Sequence, residues 1–96
     1  MTAGSYPGAA RVLEVLSRRA AIDVVAVLAA GPLSERALAT RLASYNSSVV
    51  VQRVEDLRRL EVVEVIPESG DRRLSARGRR LLGVLDGLEA WAGRTS

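Results

Sequence analysis

Cysteine, histidine, lysine and phenylalanine are all absent from this chain of 96 residues. Without cysteine there is no disulfide, no thiolate switch and no cysteine-based metal site. Without histidine the chain lacks the commonest metal ligand and the usual general base. The remaining Asp, Glu, Ser and Tyr residues form no evident constellation of nucleophile, base and orienting group. An enzyme is therefore the least supported class, and no cofactor or metal is expected. Aromatics are reduced to Tyr6, Tyr45 and Trp91. The length fits one small domain whose core must be built from Ala, Val and Leu. Such a core is marginal by itself, and a second copy would add buried area.

Long apolar runs are missing too. Nothing approaches the roughly 20 apolar residues that cross a bilayer. Ile22 to Ala30 is apolar but short and reads as a core helix. Met1 to Gly8 is small and polar, with no apolar run behind a basic start, so no signal peptide is read there. The expectation is a cytoplasmic protein that meets no membrane.

What the chain does have is arginine. All 14 basic residues are Arg; against 11 acids the formal charge is only +3. The distribution says more than the sum. From Arg72 to Arg80 there are five arginines and no acid. Arginine grips phosphate as a fork and can lie in a narrow minor groove. The alternative is a solvated face in a chain whose genome favours arginine codons.

Residues 1–8 read as a flexible arm and residues 9–96 as one domain, with no repeat and no linker. Ala9 to Leu16 carries Val12, Leu13, Val15 and Leu16, a first helix. Ala21 to Ala30 is a second, with Ile22, Val25, Ala26 and Ala29 on one face. Gly31-Pro32 ends it. Ser34 is placed to cap a third helix, in which Ala37, Leu38, Arg41 and Leu42 follow helical spacing. Ser44-Tyr45-Asn46 is a short turn, and either Asn46 or Ser47 can cap the next helix.

That next helix, Ser47 to Leu60, organises the chain. Val50, Val54 and Leu57 fall at spacings of four and three and share one face; Leu60 continues the stripe. Ser47, Ser48, Val51, Gln52, Glu55 and Arg59 lie largely off it. The first turn is small and polar, which suits insertion into a DNA major groove. Two helices joined by so short a turn fit a helix-turn-helix. The period then changes. Val62, Val63, Val65 and Ile66 around Glu64 predict a strand. Pro67 to Asp71 is a turn, and Arg72-Arg73-Leu74-Ser75 a returning strand. Ser75 or Ala76 starts a last helix through Leu81, Leu82, Val84, Leu85, Leu88 and Trp91. Its apolar stripe is wider than one small domain needs, which points to a partner. The expected fold is α+β: a winged helix-turn-helix with a two-stranded wing.

The chain then resembles bacterial winged-helix transcription regulators of the HxlR and MarR kind, from about Leu13 to Trp91. Gly31-Pro32-Leu33-Ser34-Glu35 looks like the HxlR segment that opens the helix before the recognition helix. Gln52-Arg53-Val54-Glu55-Asp56-Leu57 resembles the recognition-helix core. Gly70-Asp71-Arg72-Arg73 looks like a MarR wing tip, in which the Asp orients an Arg toward the minor groove. Leu74-Ser75-Ala76-Arg77-Gly78-Arg79 is similar to the Leu-Thr-x-x-Gly run that leaves the wing. Val84 to Trp91 is close to the HxlR C-terminal dimer helix. The chain departs from that pattern at Arg18-Arg19-Ala20-Ala21, where HxlR proteins have Gly-Lys-Trp, and at Glu61, where a Gly is usual. The wing is short, and the cysteine of redox-sensing members has no counterpart.

The resemblance implies double-stranded DNA as partner and a homodimer through the first and last helices. Ser34, Asn46, Ser47, Ser48, Val51, Gln52, Arg53, Arg72 and Arg73 are the candidate DNA-binding residues. The helix N-terminus, with Asn46 or Ser47, would meet a phosphate. Gln52 can contact adenine bidentately, Ser48 either base type, and Val51 a thymine methyl. Arg72 and Arg73 would track phosphates or enter the minor groove. Arg53 either contacts DNA or pairs internally with Glu55, Asp56 or a neighbouring helix. Arg58 and Arg59 are read as solvated or as backbone contacts. Arg77, Arg79 and Arg80 pair with Asp86 or support the wing. Val12, Leu13, Leu16, Leu85, Leu88 and Trp91 are the candidate dimer interface, setting recognition helices about 34 Å apart over a palindromic site. A small-molecule effector of unknown chemistry would sit at that interface. The second reading is a protein-interaction module without DNA binding, favoured by the negative charge of Glu55, Glu61 and Glu64 and by the short wing.

Overall fold

The structure, a computed structural model, describes residues 4–95. The first three positions of the expected arm lie outside that range. The described chain forms helices α1 (Pro7–Leu16), α2 (Ala21–Leu28), α3 (Glu35–Arg41) and α4 (Ser47–Arg59). Strands β1 (Val63–Val65) and β2 (Arg72–Leu74) follow, then helix α5 (Ala76–Thr95). This is the expected winged helix-turn-helix in the expected order.

Helix α1 begins two residues before Ala9. Pro7 occupies its first turn, where its missing N–H would be unsatisfied anyway and its fixed φ suits a helix. Helix α2 lies at the centre, in contact with every helix and with β2. Its inward face is not the expected one. Ala21, Val24, Val25 and Leu28 are fully buried, while Ile22 is 49% exposed and Ala26 also faces out. An apolar run on nearly all sides leaves the periodicity with nothing to discriminate; the neighbours choose the face.

Ser34 caps α3 as read: its Oγ accepts from the Ala37 N–H at 3.1 Å. Asn46 takes the N-cap position of α4 by its backbone alone. The stripe of α4 is as expected, with Val50, Val54 and Leu57 buried and Leu60 half-buried. They meet Leu16, Val24, Val25, Leu28 and Leu38 in one core.

Helix α4 ends in a tight C-terminal motif. The Val62 N–H donates to Leu57 O at 2.9 Å and the Glu61 N–H to Arg58 O at 2.9 Å. This requires the left-handed region at Glu61, whose φ is +62. A side chain there is strained, and glycine is the usual occupant. Glu61→Gly is expected to raise stability by about 0.5–1 kcal/mol, visible as a higher midpoint in a thermal melt.

β1 and β2 pair antiparallel, with Val63 opposite Leu74, Glu64 opposite Arg73 and Val65 opposite Arg72. The turn is closed by Gly70 N–H to Ile66 O at 2.7 Å and Ile66 N–H to Asp71 O at 2.8 Å. Gly70 has φ +76, which glycine adopts without strain. Leu33 adds a short third rung, exchanging backbone hydrogen bonds with Arg72 at 2.8 and 3.0 Å. The base of the wing is thereby tied to the segment entering α3.

Ser75 starts α5. Its Oγ accepts from the Gly78 N–H at 3.0 Å and donates to the Glu61 carbonyl at 2.5 Å. Gly78 lies against the backbone of Val62. A Cβ at that position would overlap the Val62 carbonyl oxygen and crowd Leu74.

Candidate nucleic-acid interface

The exposed side of α4 follows from its buried stripe. With Val50, Val54 and Leu57 inward, Ser47, Ser48, Val51 and Gln52 must face out, and all four are exposed. The turn before them is anchored from outside. The Tyr45 hydroxyl donates to Asp23 of α2 at 2.5 Å, and the Arg19 guanidinium lies 6.0 Å from the Tyr45 ring. The hydrogen bond to Asp23, then burial and the Asp23 charge, raise the Tyr45 pKa. The outcome is a fixed helix end whose free amides and small polar side chains point outward.

On the other flank of α4 lies Asp56, 4% exposed and the one charged residue buried among those described. One carboxylate oxygen accepts from Arg53 at 2.6 Å and Arg18 at 3.0 Å. The other accepts from Gln52 at 3.1 Å and, more loosely, from Arg59 at 3.4 Å. Arg53 also donates to the Arg19 carbonyl at 2.9 Å. Burial pushes the Asp56 carboxyl up, but the hydrogen bonds from Arg53, Arg18 and Gln52 outweigh it and hold the pKa below the ordinary value. Within this cluster the Arg53 side chain is engaged inside the protein, the internal pair being one of its two readings. Asp56 itself was not singled out as a site. Its signal in the sequence is faint: an acid next to Leu57, one step from the buried stripe.

The wing differs from the implied MarR arrangement. Arg72 donates to the Gly70 carbonyl at 2.9 Å and lies 3.6 Å from Glu35 of α3. Among the described residues no ion pair joins it to Asp71. The reason is the β2 register, which turns Arg72 toward α3 beside its bridge to Leu33. Arg73 is paired with Glu64 directly across the strands at 2.7 Å. On α4, Arg58 pairs with Glu55 at 3.3 Å. Arg36 and Arg41 of α3 form no ion pair among the described residues and are exposed. They were not among the candidates.

Of the other arginines, Arg77 donates to the Leu60 carbonyl at 3.0 Å and supports the end of α4. Among the described residues no ion pair joins Arg77, Arg79 or Arg80 to Asp86.

The candidate interface residues divide. Leu13, Leu88 and Trp91 are exposed, at 56%, 51% and 62%, while Val12 and Leu85 are half-buried. Leu16 is a correction: it is 6% exposed and belongs to the monomer core, where the last turn of α1 joins buried residues of α2 and α4. Val84, 65% exposed, joins Leu88 and Trp91 at spacings of four and three on one face of α5. Among the described residues no helix is long and apolar enough to cross a membrane.

Taken together, these elements define a winged helix-turn-helix with an outward recognition-type helix and a short, charge-paired wing. No family profile matches the chain, and no curated protein matches it. Solved structures do. Quinone-bound YodB from B. subtilis superposes with a TM-score of 0.84 at 21% identity, over 93% of this chain and 99% of that one. The reduced form of the transcriptional regulator YodB gives 0.82 at 24%, over 92% and 91%. Diamide-treated YodB gives 0.81 at 23%, over 95% of each. The likeness is one of fold, wing included.

Proposed function

We propose that this protein is a transcriptional regulator that binds double-stranded DNA through the N-terminal half of α4. The observation that carries the reading is the outward surface of Ser47, Ser48 and Val51, whose side chains have no hydrogen-bond partner among the described residues, at a fixed helix N-terminus in the fold of the regulator YodB. Amides there suit a phosphate, and side chains this small let the helix sit deep in a major groove. Asn46 leads into the same face, and Ser34 caps the neighbouring helix α3. Gln52 is the residue of α4 best suited to a base edge. Arg36 and Arg41 of α3 add exposed charge that no ion pair neutralises among the described residues. Nothing in the residues supports an enzyme reading, and the cytoplasm is the compartment proposed.

A homodimer through α1 and α5 completes the proposal. Leu13, Leu88 and Trp91, with Val12, Val84 and Leu85, offer an apolar face that a lone protomer leaves wet. The YodB structures include a quinone-bound one. A small effector is proposed here only by that analogy. A signal carried by thiol oxidation has no residue to act on, since the chain lacks cysteine.

The test is fluorescence anisotropy with a duplex from the region upstream of the coding sequence and a scrambled duplex, at two salt concentrations. Salt-sensitive binding that favours the upstream duplex supports the proposal. No binding to either duplex at low salt overturns it. One observation favours the second reading, a protein-interaction module: both wing arginines face carboxylates, and Glu68 and Asp71 add negative charge at the turn. In that case a partner pull-down replaces the DNA assay.

The wing can be examined separately. Arg73→Ala is expected to reduce the slope of log affinity against log salt by about one, with equal loss on specific and random DNA. An unchanged slope would mean that Arg73 stays with Glu64 and touches no phosphate.

A further inference from the structure

Gln52 is exposed, yet one side of its amide is not free. Its Nε2 donates to Asp56 Oδ1 at 3.1 Å. The orientation of that amide follows from chemistry. An ionised carboxylate only accepts, so the nitrogen must face Asp56 and the oxygen must face away. Asp56 cannot itself turn. Its other oxygen is held by Arg53 at 2.6 Å and Arg18 at 3.0 Å, and the carboxylate is buried. Arg53 is fixed in turn by the Arg19 carbonyl. Gln52 is thus clamped by a rigid group one helical turn away.

We propose that Asp56 is a positioning residue for base recognition. It holds the Gln52 amide so that Oε1 and the second N–H of Nε2 face outward together, an acceptor and a donor matched to the N6 and N7 edge of adenine. The assignment rests on the DNA-binding reading and names what that site would read. An unheld glutamine would lose rotamer freedom on binding and could offer its amide either way round. A clamped one loses less and presents a single pattern. Adenine offers N6–H as donor and N7 as acceptor in the major groove, and no other base presents that pair in that order.

The experiment is selection of duplexes from a random-sequence library by the full chain, followed by affinities for the selected site with each base pair substituted in turn. The wild-type protein is expected to show one A·T position with a preference of roughly tenfold, and Gln52→Ala to lose that preference alone. Asp56→Ala is expected to cut the preference to about a third, with the salt slope unchanged. In the Gln52→Ala background the same substitution should change the preference no further. Val24→Ala is the control: it removes packing from the core and none of the hydrogen bonds to Asp56 or Gln52, and should lower the melting temperature while leaving the preference intact. Every affinity is measured below the melting transition of the variant. If Asp56→Ala does not fold, Asp56→Asn decides, because its amide no longer offers acceptors alone. A full preference in the Asp56 variants, or an equal loss with Val24→Ala, overturns the assignment. So does a selected site that Gln52→Ala binds unchanged. A wild-type protein that enriches no sequence overturns the DNA reading and this assignment with it.

Discussion

Gly78→Ala is expected to be among the most damaging single methyl additions this fold can receive. The added Cβ meets the backbone carbonyl of Val62, with Leu74 close behind it. A flexible side chain would swing away; a backbone carbonyl held by a hydrogen bond cannot. Val62 O accepts from the Ser75 N–H at 3.0 Å. Relief therefore requires α5 to lift from the end of α4, and both the α5 cap and the Val62 pairing would go with it. The expected loss is about 3 kcal/mol, the upper end for overpacking, or more than 10 °C in melting temperature. Gly83→Ala and Gly87→Ala give the contrast. Neither position has a neighbour within 4 Å of an added Cβ. Each is expected to gain about 0.8 kcal/mol from helix propensity alone. Thermal melts of the three variants check this. A neutral Gly78→Ala would mean that α5 does not rest on Val62.

Asp56→Ala is the second large effect. Removing the carboxylate strips Arg18, Arg53, Arg59 and Gln52 of a common acceptor. Arg53, with a side chain only 17% exposed, suffers most, since it is left with the Arg19 carbonyl alone. Arg18 and Arg59 can turn to water. The expected loss is about 3 kcal/mol, the low end for breaking a buried pair by removing one partner. It should depend on pH. The Asp56 pKa is lowered in the folded state, so its contribution is full above the unfolded-state value of about 4 and is lost as pH falls through the folded value. Melts of wild type and Asp56→Ala should differ most at neutral pH and converge in acid. A constant gap from neutrality to below about pH 4 would mean that the carboxylate charge does not stabilise the fold.

The two effects bear on the function in different ways. Gly78 seats α5, the helix that carries the exposed Val84, Leu88 and Trp91. Asp56 ties α4 to the segment between α1 and α2. One therefore seats the proposed dimer face and the other the proposed reading head.

Much of the candidate interface was legible before the structure. The polar first turn of α4 and the Ser34 cap depend on residues three or four apart, and local spacing reports them. The state of the wing arginines was not legible. Arg72 and Arg73 are expected at phosphates or in the minor groove, and each has a carboxylate within reach; for Arg53 an internal pair with Asp56 is one of the two readings the sequence allows, and that carboxylate lies 2.6 Å away. Their partners come from different places: a turn away on the helix for Arg53, across the strands for Arg73, and on a distant helix for Arg72. Only the second follows from the hairpin register. Arg36 and Arg41 are not site candidates in the sequence because nothing in their spacing separates them from any solvated arginine.

By itself, the sequence determined the order of the elements, the buried stripe Val50-Val54-Leu57, the turn at Tyr45, the wing and the absence of thiol and imidazole chemistry. Those features arise from spacing within one element, from turn residues, or from residue types that are simply missing. Only the tertiary structure decided which face of α2 is inward, that Leu16 belongs to the core, that Gly78 must have no side chain, and that Asp56 is buried among arginines. Each of these depends on how two elements cross, and crossing is set by the packing of the whole core rather than by any run of residues within it.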